Sequence, residues 1–194
     1  MSCYCFLNNL IKGIPISDKY ALVISARVHP GESNSSWMML GLMQQLIGLD
    51  SDAEELRRRF FICLVPMLNP DGVILGNYRC SLSGRDMNRN YRRPRKEVFP
   101  TVWHIRQLVQ SCKNACQDVI YCDLHGHSRQ NNVFMYGCDP TYGQSRTPGL
   151  LQRGTYETSL YCLRERLLPY LLAKQVIWAT KAPISNDVFV PGLM

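Results

Sequence analysis

The sequence predicts an α/β fold. Three observations carry that expectation. Short apolar, β-forming runs occur at Tyr20–Ala26 (YALVISA), Phe60–Val65 (FFICLV) and Val119–Leu124 (VIYCDL). Segments of helical spacing lie between them, and loops carrying Pro, Gly or His follow them. Strands alternating with helices build a sheet covered by helices, and ligands in such sheets collect outside the C-terminal ends of the strands.

Taken in order, Tyr20–Ala26 reads as a buried strand followed at once by the loop His29-Pro30-Gly31-Glu32. Ser33-Asn34-Ser35-Ser36 offers several N-cap candidates. Trp37, Leu40, Met43 or Gln44, and Ile47 then recur at helical spacing up to Gly48. On that reading Trp37, Met38 and Met39 pack the core face of the helix. Residues 54–59 form a helix end or turn, and Phe60–Val65 is a second buried strand closed by Pro66. Asn69-Pro70-Asp71-Gly72 is a turn signal. Residues 73–96 are irregular, polar and rich in arginine, and a long loop inside a compact domain is more often functional than not. Residues 102–116 are helical through Ile105, Leu108 and Val109, and Val119–Leu124 is a third buried strand running into His125. A short fourth strand is expected at 133–136 and a helix, interrupted by Pro169, at 157–172; 176–194 holds no convincing element.

The 194 residues suit one domain with a real core. The expected division is a poorly defined segment over 1–19, a domain over 20–175 and a divergent tail over 176–194. No apolar run approaches the ~18 residues of a membrane span, and no signal peptide is visible at the start. Nine scattered cysteines, an odd number, argue for reduced thiols and a cytoplasmic setting rather than a disulfide framework. Neither Cys3 with Cys5 nor Cys112 with Cys116 has the paired spacing of a structural zinc site. Cys122, inside a buried strand, is expected to be inert. The net charge of +7 is concentrated in Arg57-Arg58-Arg59 and Arg92-Arg93-Pro94-Arg95-Lys96. These read first as solvated faces and second as attraction to an acidic partner. Nucleic acid is disfavoured because no nucleic-acid motif accompanies the charge.

The chemistry sits in His29, Glu32 and His125. A His and a Glu three residues apart with a distant second His make the three-ligand set of a catalytic Zn2+, with a fourth position left for water. Both ligand segments fall at strand ends, where an α/β sheet places its ligands.

The ordered motifs carry a family resemblance. His29-Pro30-Gly31-Glu32, Asn69-Pro70-Asp71-Gly72, Gly76-Asn77-Tyr78-Arg79-Cys80-Ser81-Leu82, Gly84-Arg85-Asp86-Met87-Asn88-Arg89 and Asp123-Leu124-His125-Gly126-His127-Ser128 resemble the zinc metallocarboxypeptidases, specifically the cytosolic carboxypeptidase subfamily. The resemblance covers about residues 20–143. It implies a mixed, mostly parallel central sheet flanked by helices, incomplete at the C-terminus in this chain. It implies His29, Glu32 and His125 as zinc ligands and Asp86 as the carboxylate that orients the first histidine. Asn88 and Arg89 would hold the substrate's terminal carboxylate. Arg79 would steady the developing oxyanion beside the metal, and with Glu32 forms the catalytic pair. His127 reads equally as a substrate-facing group or a structural histidine.

Enzymes of this subfamily remove glutamates from protein C-termini or glutamate side branches, notably on tubulin. The implied partners are therefore acidic protein C-termini or polyglutamate chains, and the implied location is the cytosol, in association with microtubules. The family's domain runs on beyond the equivalent of Leu172, where it supplies a general-base glutamate and a substrate-facing aromatic. Neither is recognisable in 176–194, and Glu157 and Glu165 lie outside the family's context. The chain reads as a truncated form. Two functions follow from this: an active glutamate-removing carboxypeptidase, or a catalytically inactive isoform that binds zinc and acidic tails.

Overall fold

A computed structural model describes residues 5–7, 14–130, 134–136, 167, 170 and 171. The described residues up to His127 form one compact unit, which holds the whole site, and those from Ser128 on belong to another.

β1 (Cys5–Leu7) pairs antiparallel with β3 (Phe60–Val65), while β2 (Tyr20–Ala26) pairs in parallel with both β3 and β4 (Val119–Leu124). The strand order is β1-β3-β2-β4. The sheet is thus mixed and mostly parallel, as expected. β2 lies inside it, between β3 and β4, which is why YALVISA is apolar on both faces.

Alternation along the strands divides the core in two. Ala21 and Val23 of β2 join Cys63 and Val65 of β3 on one face, under α4 (Pro100–Ala115), which contributes Val102, Ile105, Val109 and Cys112. Ile24 and Ala26 join Ile62 and Leu64 on the other face, under α1 (Ser33–Ile47) and α2 (Ser51–Arg59). Helices on opposite faces are what right-handed crossovers produce when the chain moves from β2 outward to β3 and back across to β4.

Several local expectations shift. α2 is a full helix of nine residues, because the Asp50 side chain caps it at the Ala53 N–H (2.9 Å) and Arg57, Arg58 and Arg59 lie at its negative end. Arg57 also donates to the Gly48 carbonyl (2.8 Å), closing the end of α1, and Arg58 and Arg59 pair with Glu55. This arginine run is therefore local structure more than free charge. Arg92, Arg93, Arg95 and Lys96 are exposed.

Asn69-Pro70-Asp71-Gly72 does not end as a turn. It opens a one-turn helix, α3 (Pro70–Ile74), with Asn69 as N-cap and Pro70 in its first turn. α1 is entered through Glu32, not one of the serines. Ser35 is tied down instead: its hydroxyl donates to the Glu32 carbonyl (2.7 Å) and accepts from the Arg27 N–H (3.2 Å). That anchoring turns Ser35, Met39 and Leu46 inward. Trp37 is 72% exposed, Met38, Leu40 and Ile47 are exposed as well, and only Met39 of the expected trio is core. α4 begins at Pro100, two residues before the expected start.

Residues 134–136, the described part of the expected fourth strand, are not in a strand. Aromatic content favours a strand only where a ladder partner is present. Leu167, Tyr170 and Leu171 are helical; the rest of the expected helix over 157–172, and the tail over 176–194, lie outside the described residues. No helix among the described residues is long and apolar enough to cross a membrane.

Candidate metal centre

The loop after β2 is built by three neighbouring segments. Arg27 turns the chain with φ 58, a left-handed conformation that costs a non-glycine residue about 1 kcal/mol or more. The chain after β3 then runs alongside: Leu68 N–H donates to the Ala26 carbonyl (2.8 Å) and Asn69 N–H to the Arg27 carbonyl (3.1 Å). The Asn69 amide adds a bond to the Val28 carbonyl (3.1 Å) while its oxygen caps Gly72 (3.1 Å). Gly31 N–H donates to the Tyr78 carbonyl (2.7 Å). A Cβ on Gly31 would lie 2.3 Å from the Tyr78 ring, and one on Gly72 would lie 2.4 Å from Pro30. The HPGE, NPDG and GNYRC motifs thus interlock, and glycine is needed where they touch.

This packing delivers His29 from the end of β2, Glu32 at the N-terminus of α1, and His125 just after β4. One ligand atom from each lies within 4.8 Å of the others. Glu32 is the hub. His29 Nδ1 is 2.8 Å from Oε1, His125 Nδ1 is 3.1 Å from Oε2, and Gly126 N–H donates to Oε2 (2.6 Å). The imidazole rings are 5.0 Å apart.

The opposite nitrogens face outer carboxylates: His29 Nε2 is 3.2 Å from Asp86, and His125 Nε2 is 2.9 Å from Asp123. In the neutral imidazole that a metal would need, a carboxylate on Nε2 keeps the N–H there and leaves Nδ1 as the inward-facing donor. Two inward imidazole nitrogens and one carboxylate are the donor set that Zn2+ takes at catalytic sites. The residues present therefore fit the metal.

In the metal-free protein Glu32 and His125 are held as an ion pair. Burial would raise the Glu32 carboxyl, but its bonds to His125, His29 and Gly126 outweigh burial and hold it well below the usual carboxylate range. Burial works against charge on His125, yet its bonds to Asp123 and Glu32 push it up to about 10 in the metal-free protein. Asp86 is raised by burial and lowered more strongly by His29 and Arg79, so it stays ionised.

The remaining sequence candidates cluster around Asp86. Arg79 contacts its Oδ2 through Nε (2.8 Å) and Nη2 (2.7 Å). Asp86 caps a single 3-10 turn, Met87–Arg89, by accepting from Asn88 N–H (2.9 Å). Asn88 is half-buried and Arg89 exposed on that turn. His127 is exposed, two residues beyond His125. Two members of the site, Asp123 and Arg27, are not among the candidates that sequence nominates. The signal for Asp123 is its spacing, two residues before His125 at the end of a strand.

Residues 8–148 match the family model described as zinc carboxypeptidase. The chain is 45% identical over 180 residues to cytosolic carboxypeptidase 3 of Mus musculus, covering 89% of this chain and 17% of that protein. It is 49% identical over 156 residues to cytosolic carboxypeptidase 2 of Xenopus tropicalis, covering 80% of this chain and 15% of that protein. It therefore spans less than a fifth of the length of these relatives. Among solved structures it resembles a metallo-carboxypeptidase from Pseudomonas aeruginosa in complex with (2-guanidinoethylmercapto)succinic acid, with a TM-score of 0.68 and 27% identity over 98% of this chain and 45% of that one. A metallo-carboxypeptidase from Burkholderia cenocepacia matches with a TM-score of 0.61 and 30% identity over 74% of this chain and 37% of that one. The interlocked motifs, the His-Glu-His donor set and these matches agree: the chain belongs to the zinc carboxypeptidase family.

Proposed function

We propose that this chain carries the zinc centre of a cytosolic metallocarboxypeptidase that removes glutamates from acidic protein C-termini or from polyglutamate side chains, tubulin tails being the model substrate. The observation that supports it most is the convergence of His29, Glu32 and His125 with each histidine backed by a carboxylate. The names of the relatives support both the reaction and the cytosolic setting, and microtubules are where such a substrate would be met. The working unit in this reading is 20–175, with 1–19 and 176–194 outside it.

Zinc, when bound here, would supply Lewis acidity for activating water and polarising a scissile carbonyl. The chain's own groups do the rest. Glu32, His29 and His125 would hold the metal, while Asp86 fixes His29. Arg89 and Asn88 bind the terminal carboxylate, the guanidinium by its planar fork, which is how an exopeptidase measures from a chain end. Arg79, beside Asp86, offers positive charge where an oxyanion develops. The exposed Arg92, Arg93, Arg95 and Lys96 draw an acidic tail toward the site.

One observation favours a second reading, a zinc centre that binds acidic tails without turnover. Hydrolysis needs a base to take a proton from water. At this site Glu32 lies between the histidines, while Asp86 and Asp123 are each bound to one, so no carboxylate among the described residues of the centre is left over.

The deciding experiment measures free glutamate released from a glutamate-ended peptide by protein of known zinc content, with and without chelator and beside Glu32→Ala. Chelator-sensitive release, lost in the variant, is the expected result. Stoichiometric zinc with saturable peptide binding and no release would establish the second reading. A folded protein that takes up no zinc would end both.

A further inference from the structure

We infer that Asp123 is the positioning residue for His125, and that a ring of contacting hydroxyl groups from Ser25, Tyr91 and Tyr121 holds Asp123 in place. The inference rests on the zinc-centre reading above and adds a residue to it.

The register of the sheet makes the ring. Ser25 of β2 is paired with Asp123 of β4, and Val23 with Tyr121. Alternation then puts Ser25, Tyr121 and Asp123 on one face, where Tyr91 packs from the loop before α4. Four contacts close the circuit: Ser25 to Asp123 Oδ1 at 2.6 Å, Ser25 to Tyr121 at 2.7 Å, Tyr121 to Tyr91 at 3.2 Å, and Tyr91 to Asp123 Oδ2 at 3.3 Å. Tyr91 is buried and the Asp123 side chain is 8% exposed.

Proton counting gives the ring a direction. Ser25 and Tyr91 both donate to Asp123. Tyr121 has one proton to give and directs it to Ser25, its shorter contact, so three protons serve the four contacts and Tyr121 and Tyr91 touch without a hydrogen bond between them. Burial pushes both tyrosines well above their ordinary range, so they remain donors. The carboxylate cannot rotate without breaking these bonds. Its Oδ2 is therefore fixed 2.9 Å from His125 Nε2, where it takes the imidazole N–H and leaves Nδ1 as the ligand atom. Asp86 holds His29 in the same sense at 3.2 Å. The two histidines are thus oriented by carboxylates from different parts of the chain, and only that of His125 is anchored in the sheet.

The test is the zinc dissociation constant, measured by chelator competition on the full chain, with folding followed by circular dichroism. Asp123→Asn is expected to weaken zinc by about 10–100-fold while the protein stays folded. Tyr91→Phe and Ser25→Ala, each removing one donor to Asp123, are expected to weaken it by less. The tautomer of His125 in the zinc-loaded wild type, read by 15N NMR, should be protonated at Nε2 with Nδ1 on the metal. That readout holds even if Asp123→Asn fails to fold. Wild-type zinc affinity in a folded Asp123→Asn, or metal on Nε2 of His125, overturns the inference. A wild type that binds no zinc overturns the zinc-centre reading together with it.

Discussion

Arg79 sits on Asp86, with Nε and Nη2 both within 2.8 Å of the carboxylate oxygen Oδ2. The other oxygen of Asp86 faces His29 Nε2 at 3.2 Å. One carboxylate thus joins the expected oxyanion arginine to a metal-facing histidine, so the two functions are not independent. Arg79→Ala should lower glutamate release by about 10²–10³-fold if its charge acts on the transition state. It should weaken zinc by less than about tenfold, because Asp86 keeps its bond from Asn88 N–H. Loss of zinc as severe as that of Glu32→Ala would show that Arg79 serves the metal site rather than the reaction.

Gly72 is where the NPDG motif meets the metal loop. A Cβ there would lie 2.4 Å from Pro30 Cγ and 2.9 Å from the Cys80 carbonyl, and neither a proline ring nor backbone yields easily. Gly72→Ala is expected to cost about 1–3 kcal/mol and to loosen zinc binding through His29. Gly41, inside α1 with nothing within 4 Å of where a Cβ would stand, is the contrast. Gly41→Ala should stabilise by up to about 1 kcal/mol. Thermal melts of both variants check the pair, and equal effects would refute the interlock.

His125 gives the metal-free protein a pH signature. Its folded value, pushed up to about 10, is above the unfolded one of about 6.5. Its contribution is thus fully present below about pH 6.5 and lost as pH rises through about 10. The metal-free protein should lose on the order of 1–3 kcal/mol over that window, after allowance for partial exposure. The zinc-loaded protein should not follow, because a ligating imidazole is already neutral. Melting temperatures from about pH 6 to about pH 10, with and without zinc, provide the comparison; parallel curves would contradict it.

Cys122 lies on β4 beside Asp123. Burial, and then the Asp123 charge, push its thiol up to about 11. It should resist iodoacetamide at about pH 8 in the folded protein and react once the chain is unfolded in urea. Peptide mapping by mass spectrometry reads the outcome, and prompt labelling of native protein would argue against the packing of this strand.

Three parallel strands and the helices α1 and α4 between them are legible in the chain alone, and the three residues nominated as ligands, His29, Glu32 and His125, are ones that the fold brings together. Runs such as YALVISA need both faces buried, and strand ends are where an α/β sheet puts its chemistry. Asp86 is nominated only through the family resemblance of its motif. Contacts distant in sequence settle the rest. The buried face of α1 departs from the expected one because Ser35 is pinned by Glu32 and Arg27, and helical spacing alone does not say which stripe meets the sheet. NPDG becomes a helix start because Asn69 is held by Val28, 41 residues away. Asp123 gains its place only when β2 and β4 come into register and set Ser25 opposite it. Spacing can nominate ligands, but the partner of a ligand's far nitrogen is set by which strands lie side by side.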